Sequence, residues 1–209
     1  MDNNLETNKV HLSGRVLTSP EFNHKTYGEA FYMLVLGIFR RSGYEDRIRL
    51  IISERLLAGR SPRKGEYLDI TGQIRTYNRD VNGRNKLEVT VFVREMEYCR
   101  ECEPDYDNLV YMEGFICKQP VRRRSPLGRE ICDLMIAVNR MYNKSDYIPS
   151  IAWGRNALYS ESLQIGDKVI ISGRIQSRDY RKYTEEGHLV NKTAYEVSIT
   201  NIEAEASII

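Results

Sequence analysis

The sequence is short of the residues that mark several protein classes. Four cysteines in 209 residues are too few for a disulfide scaffold. The three histidines, His11, His24 and His188, are scattered, and no acid–base pair sits at a catalytic spacing. No Gly-x-x-x-x-Gly-Lys loop is present to cradle nucleotide phosphates, which argues against an ATP-driven motor. No stretch approaches the ~18 apolar residues of a membrane span, and residues 1–9 are polar where a signal peptide would be apolar. The expectation is a cytoplasmic binding protein rather than an enzyme. Excess charge is lacking too: 31 basic residues face 29 acidic ones, a net +2. Binding driven by bulk positive charge is excluded, and any acidic partner must be met by local patches.

What is present describes a packed chain. Hydrophobic residues make up 41% and charged residues 29%, enough to bury a core and too apolar for a disordered chain. The aromatics are 14 Tyr, 5 Phe and a single Trp. Tyrosine suits half-buried surfaces, because it joins a flat apolar ring to a polar tip.

The chain repeats itself. Val10-His-Leu-Ser-Gly14 returns as Val110-Tyr-Met-Glu-Gly114, and Ile70-Thr-Gly-Gln-Ile74 returns as Ile171-Ser-Gly-Arg-Ile175. Residues 34–39 match 134–139, and residues 87–96 match 193–202. Matching segments in one order indicate a duplicated domain. The expected units are residues 1–99 and 108–209, joined by an acidic, proline-containing linker at 100–107.

Each half reads as β-rich, with alternation in residues 89–93 and 194–199 and turn signals at Asn82-Gly83 and Glu186-Gly187. A short helix is expected near 54–59 in the first half and 156–163 in the second. Five strands with one helix between the third and fourth describe an OB-fold, a five-stranded Greek-key barrel. The expectation is all-β, two tandem OB-folds; a sandwich has a similar strand pattern.

Three segments of the second half carry a resemblance. They are residues 135–140 (MIAVNR), 146–154 (DYIPSIAWG) and 166–180 (GDKVIISGRIQSRDY). In this order and spacing they resemble the second, third and fourth strands of the bacterial single-stranded DNA-binding protein family (SSB), along roughly 108–203. The resemblance implies sequence-independent binding of single-stranded DNA in replication, recombination or repair. It implies base-stacking positions at Tyr142, Tyr147, Trp153 and Tyr180. Any base offers a π-face, so stacking at about 1–3 kcal/mol per base gives affinity without readout. A lone Trp in a β-domain also fits a core position, so Trp153 has two readings.

Cations interleave with these rings. Lys118, Arg122, Arg123, Arg124 and Arg129 form one group, and Arg174, Arg178, Arg181 and Lys182 another; Arg140 and Arg155 flank the third strand. They are the expected phosphate contacts, and for residues 122–124 a solvated loop is the plainer alternative. The first half departs from the family: Ser42, Arg47, Ser53 and Arg79 stand at its stacking positions. Tyr44 and Tyr77, with Tyr27 nearby, are candidate substitutes there, and Arg40, Arg41, Arg47 and Arg49 candidate contacts. The first half is a weaker site or an assembly surface.

Cys99, Cys102, Cys117 and Cys132 are weighed as a zinc site, but Cys117 and Cys132 lie 15 apart in apolar runs where a thiol packs well, and no metal or cofactor is expected. Family members commonly present four OB-folds per assembly, which here implies a homodimer. They also usually end in a flexible linker and acidic tip. Here residues 203–209 follow the last strand directly, so tail-mediated partners are not expected. The alternatives are a protein-docking or replication-restart adaptor and an RNA-binding OB protein.

Overall fold

The computed structural model describes residues 7–81, 84–100, 108–141, 143–183 and 187–205. The Asn82-Gly83 turn, Tyr142, Cys102, nearly all of the expected linker and residues 206–209 lie outside them.

The first half is built from β1 (Asn8–Val16), β2 (Glu21–Thr26), β3 (Glu29–Phe39), β4 (Glu45–Ser53), α1 (Glu54–Leu57), β5 (Tyr67–Val81) and β6 (Arg84–Cys99). The second repeats that order with β7 (Asn108–Ile116), β8 (Val121–Arg124), β9 (Glu130–Asn139), β10 (Ser145–Trp153), α2 (Arg155–Glu161), β11 (Lys168–Tyr183) and β12 (Leu189–Ala204). Alternation sets the inward face. In β10, Asp146, Ile148, Ser150 and Ala152 are buried, whereas Tyr147 and Trp153 are exposed. Each half closes into a five-stranded barrel. Strands β1, β5, β6, β4 and β3 pair in a ring that β3 completes onto β1, and β7, β11, β12, β10 and β9 do the same. This is the tandem OB-fold expected from the pattern. The short strands β2 and β8, outside the five, add an edge to β3 and β9.

Closure needs the repeated glycines of the first strands. A Cβ on Gly14 would lie 2.6 Å from the Gly37 carbonyl oxygen, and one on Gly114 2.6 Å from that of Ala137. At both places the first strand crosses the second too closely for a side chain. Inside, the barrels are filled by aliphatic residues such as Leu36, Ile48 and Ile70, matched by Ile136, Ile148 and Ile171.

The halves meet through a mirrored joint. β1 and β7 pair antiparallel with Val10 opposite Val110, so one sheet of twelve strands runs through both barrels. On one side the Asn8 amide bonds both backbone groups of Ile74, at 2.8 and 2.9 Å. On the other, Asn108 bonds both of Ile175, at 2.6 and 2.9 Å.

The long hairpins then cross over. Asp46 accepts from the Ser177 amide at 2.7 Å, and Asp146 from the Thr76 amide at 2.6 Å. Arg40 grips Asp46 with two hydrogen bonds of 2.7 Å and donates to the Ser177 carbonyl at 3.1 Å. Arg140 grips Asp146 and donates to the Thr76 carbonyl at 3.0 Å. A buried carboxylate is tolerated only when its charge and lone pairs are met, and both are. The mirror breaks at one residue. Arg75 adds a second guanidinium to Asp146 at 2.9 Å, whereas Gln176, at the corresponding position of β11, donates to Glu196 at 3.1 Å. Burial, opposed by Asp146, holds the Arg75 guanidinium below its ordinary value.

Candidate nucleic-acid interface

Strand register assembles the outer face of the second barrel. On β10, Tyr147, Pro149, Ile151 and Trp153 share the outer side on alternate positions, with Ile151 covered and the two rings exposed. Opposite them on β9 stand Ala137, Met135, Asp133 and Ile131. On the other flank, β12 brings Ser198 beside Ile151, and β11 places Arg174 opposite Ser198 and Tyr180 opposite Lys192. Tyr147 is 49% exposed, Trp153 37% and Tyr180 37%. The Trp153 indole N–H donates to Ser198 Oγ at 3.1 Å, which fixes the ring while a large part stays in solvent. A half-exposed ring held by its one polar atom is a rigid stacking surface.

The cations divide by what they already touch. Arg123 is bidentate on Asp133, Arg124 meets Glu130 at 2.7 Å, and Arg122 meets Glu161 at 3.1 Å. These are exposed pairs of small worth, about 0–1 kcal/mol, which an incoming phosphate can displace. Arg140, expected at the phosphates, is turned instead into the joint on Asp146. Arg178 lies 5.8 Å from the Tyr180 ring and 3.9 Å from Glu196. Among the described residues, Lys118, Arg129, Arg155, Arg174, Arg181 and Lys182 are exposed and form no ion pair. Arg155 directly follows Trp153 and Gly154, at the start of α2.

The same face of the first barrel is charged in the middle. Arg49 pairs with Glu88, Lys86 meets Glu88 at 2.9 Å, and the Tyr195 ring from the crossing hairpin lies 4.4 Å from the Arg49 guanidinium. Burial alone would raise the Glu88 carboxyl, but Lys86 and Arg49 outweigh it and hold the group below its ordinary value. Burial pushes the Tyr195 hydroxyl up. Arg40 lies 4.7 Å from the Tyr44 ring and is otherwise committed to Asp46. Arg47 is open, its side chain 66% exposed and 3.9 Å from Glu45. Arg41 is exposed, Tyr77 is 44% exposed on the crossing hairpin, and Tyr27 stands clear of the surface.

Sequence spacing did not reveal one cluster. Phe31 on β3 and Phe92 on β6 approach to 5.6 Å, and His24 on β2 stacks on Phe31 at 4.9 Å with planes 11° apart. Their sequence separation hides this. A comparison of strand partners between the two halves is the signal that finds it.

The thiols are separated. Cys117 donates to the Met135 carbonyl at 3.2 Å, and burial pushes the Cys132 thiol up to about 11. Among the described residues, no group of three or more His, Cys, Asp or Glu is arranged to hold a metal. No helix among them is long and apolar enough to cross a membrane.

Residues 107–204 match the family model described as the single-strand binding protein family. The chain is similar to the single-stranded DNA-binding protein of Clostridium tetani, 34% identical over 80 residues, 35% of this chain and 55% of that protein. It is also similar to single-stranded DNA-binding protein A of Bacillus subtilis, 27% identical over 106 residues, 47% of this chain and 56% of that one. The chain thus spans about half the length of the curated relatives it matches. In structure it is similar to the wild-type single-stranded DNA binding protein from Thermus aquaticus, with a TM-score of 0.73 and 21% identity. That match covers 95% of this chain and 93% of the other, so the likeness in fold takes in both halves.

Proposed function

We propose, for a chain whose residues 107–204 match the model of the single-strand binding protein family, that it binds single-stranded DNA without reading base sequence. It has no catalytic role; its work in replication, recombination or repair is to hold the unpaired strand. The observation that carries this reading is the pair of half-exposed rings, Tyr147 and Trp153, on the outer face of β10. Bases stack on these rings and on Tyr180, and stacking is indifferent to sequence. The Tyr142 position falls outside the described residues. The exposed cations Arg155, Arg174, Arg181 and Lys182, with Lys118 and Arg129, are the phosphate contacts in this reading. Arg122, Arg123, Arg124 and Arg178 join by exchanging a carboxylate for a phosphate.

Titration of the full chain with oligo-dT tests this. Trp153 emission should be quenched, and salt should reverse the quench as phosphate contacts are lost. No quench and no binding at low salt would defeat the reading. Preference for oligo-U at the same salt would replace DNA by RNA, and binding to neither would favour a protein-docking adaptor.

The assembly reading is a homodimer carrying four OB-folds, formed in the cytoplasm at the nucleoid. The outer face of the central strands supports it. There Leu109, Tyr111 and Phe115 are exposed, around a shallow pocket of about 340 Å³ lined in part by Lys9, His11, Ser172 and Thr200. Sedimentation equilibrium should then return twice the chain mass of 24.4 kDa. A monomer at micromolar concentration would refute it.

A further inference from the structure

The two halves carry aromatic rings at the same end of the same outer face, but on different strands. In the second half the ring is central: Trp153 on β10, with Ile131 opposite on β9 and Ser198 on β12 in the parallel pairing next to it. In the first half the central residue is small. Ser53 stands at that position on β4, with Phe31 opposite on β3 and Phe92 in the equivalent place on β6. One central ring flanked by small or aliphatic residues has become two flanking rings around a serine.

This exchange is more than filling a hole. Phe31 is only 7% exposed, as a filling residue would be. His24 is exposed, however, and lies parallel on Phe31 although nothing buries it there. It is positioned instead by its neighbour Asn23, whose Oδ1 lies 2.8 Å from His24 Nδ1. Phe92 keeps part of its ring in solvent, and the Arg94 guanidinium stands 5.6 Å from it. The nearby acid, Glu29, is occupied by Ser53 and by Arg55 at 3.3 Å. A planar ring presented outward, a second ring beside it and a cation above are what an unpaired base and its phosphate require.

We infer that His24, Phe31, Phe92 and Arg94 form a second nucleobase platform, in the first half, for the same strand that crosses Trp153. The inference rests on the proposed function of the second half. His24 supplies the outer stacking surface, Phe31 backs it, and Arg94 receives the adjoining phosphate. The first half therefore binds through β2, β3 and β6, not through the middle strand.

Photocrosslinking of the full chain with a 5-iododeoxyuridine oligonucleotide of about 30 residues, long enough for two OB-folds, tests each half separately. Adducts at His24 or Phe92 are expected in addition to those at Tyr147 or Trp153. Adducts in the second half alone overturn the second platform and leave the proposed function standing. Adducts in the first half alone, or in neither half, sink the second-half reading and with it a platform for a strand that also crosses Trp153. Affinity then weighs the contact. His24→Ala and Phe92→Leu should each weaken binding of the long oligonucleotide about tenfold. Quenching of Trp153 by an oligonucleotide of about 8 residues should change less than about twofold, because that length fills one fold. Unchanged affinity for the long oligonucleotide in both variants, with wild-type melting, overturns the platform.

Discussion

Half-way along the outer face, the two barrels hold opposite chemistry on the same backbone. The second half has Tyr147, Pro149 and Ala194 there, an apolar surface with an exposed ring. The first half has Arg47, Arg49 and Glu88, and two of those three neutralise each other under a tyrosine from the other half. Yet at the joint the halves agree residue for residue, Arg75 apart: Asn8 with Asn108, Asp46 with Asp146, Arg40 with Arg140. The joint must satisfy buried charges and backbone groups, which leaves few alternatives. The outer face only has to remain in water, so it can diverge into a stacking strip on one side and a self-paired charge cluster on the other.

The largest effect should come from breaking the joint on its two sides. Asp146→Ala strips two guanidinium groups, Arg75 and Arg140, of their buried partner and should cost about 3–5 kcal/mol of stability. Asp46→Ala strips one, Arg40, and should fall at or below the low end of that range. Chemical denaturation of the two variants decides it. Equal losses would mean that Arg75 contributes nothing and that the joint is symmetric in energy despite the extra guanidinium.

Next in size is the ring at the end of β10. Trp153→Ala should weaken oligo-dT binding by about 1–3 kcal/mol, whereas Ser53→Ala, at the matching place, should leave affinity unchanged. Stability bears on the same point. If Trp153 were only a core residue, its loss would cost roughly 3–5 kcal/mol and binding would follow the unfolded fraction. A destabilised variant that binds normally when folded would remove Trp153 from the interface.

Much of this was legible in the sequence, and for a definite reason. The offsets of 100 and 101 expose the duplication and so two like β-domains, while the β1–β3 and β7–β9 pairings are what distinguish barrels from sandwiches. The resemblance of residues 146–154 to the family's third strand marks Tyr147 and Trp153 as stacking positions, and both rings are half-exposed on one side of β10. Three features were not legible. Arg140 has the same composition cue as any phosphate-binding arginine, and only Asp146 folded against it shows that it serves the joint. The crossing of the hairpins joins Ser177 to Asp46 and Thr76 to Asp146, contacts with no local pattern. The exchange of rings pairs Phe31 with Phe92, distant residues that share a face only through strand register.

Salt dependence offers a finer separation of the halves. Each phosphate contact on a single strand contributes a slope of about −0.7 in log K against log salt. Arg174→Ala, from the open cations of the second half, should reduce the slope by about that amount. Tyr147→Ala should lower the whole line and leave its slope unchanged. Arg49→Ala should do neither, because Glu88 already holds that cation. A slope change from Arg49→Ala would show that the first-half cluster opens to the strand, and the contrast between the faces would weaken.

The smallest effect belongs to that cluster itself, and acid can isolate it. Lys86 and Arg49 outweigh burial and hold the Glu88 carboxyl below its ordinary value of 4.5. A carboxyl whose folded value is depressed stabilises the fold above its unfolded value and loses that contribution as pH falls through the folded one. Glu88→Gln keeps the shape and removes the charge; Glu88 itself is buried but its partners Arg49 and Lys86 reach solvent, so at neutral pH it should cost about 1 kcal/mol. The difference between wild type and variant should shrink as pH drops below about 4.5, because the wild-type carboxyl is then losing its own charge. Other carboxylates titrate in both proteins and cancel in that difference. The second half has Ala194 at the corresponding place, so no matching acid-sensitive step should arise there. A difference that stays constant from neutral pH through the acid range would mean that the cluster is held by packing under Tyr195 rather than by charge.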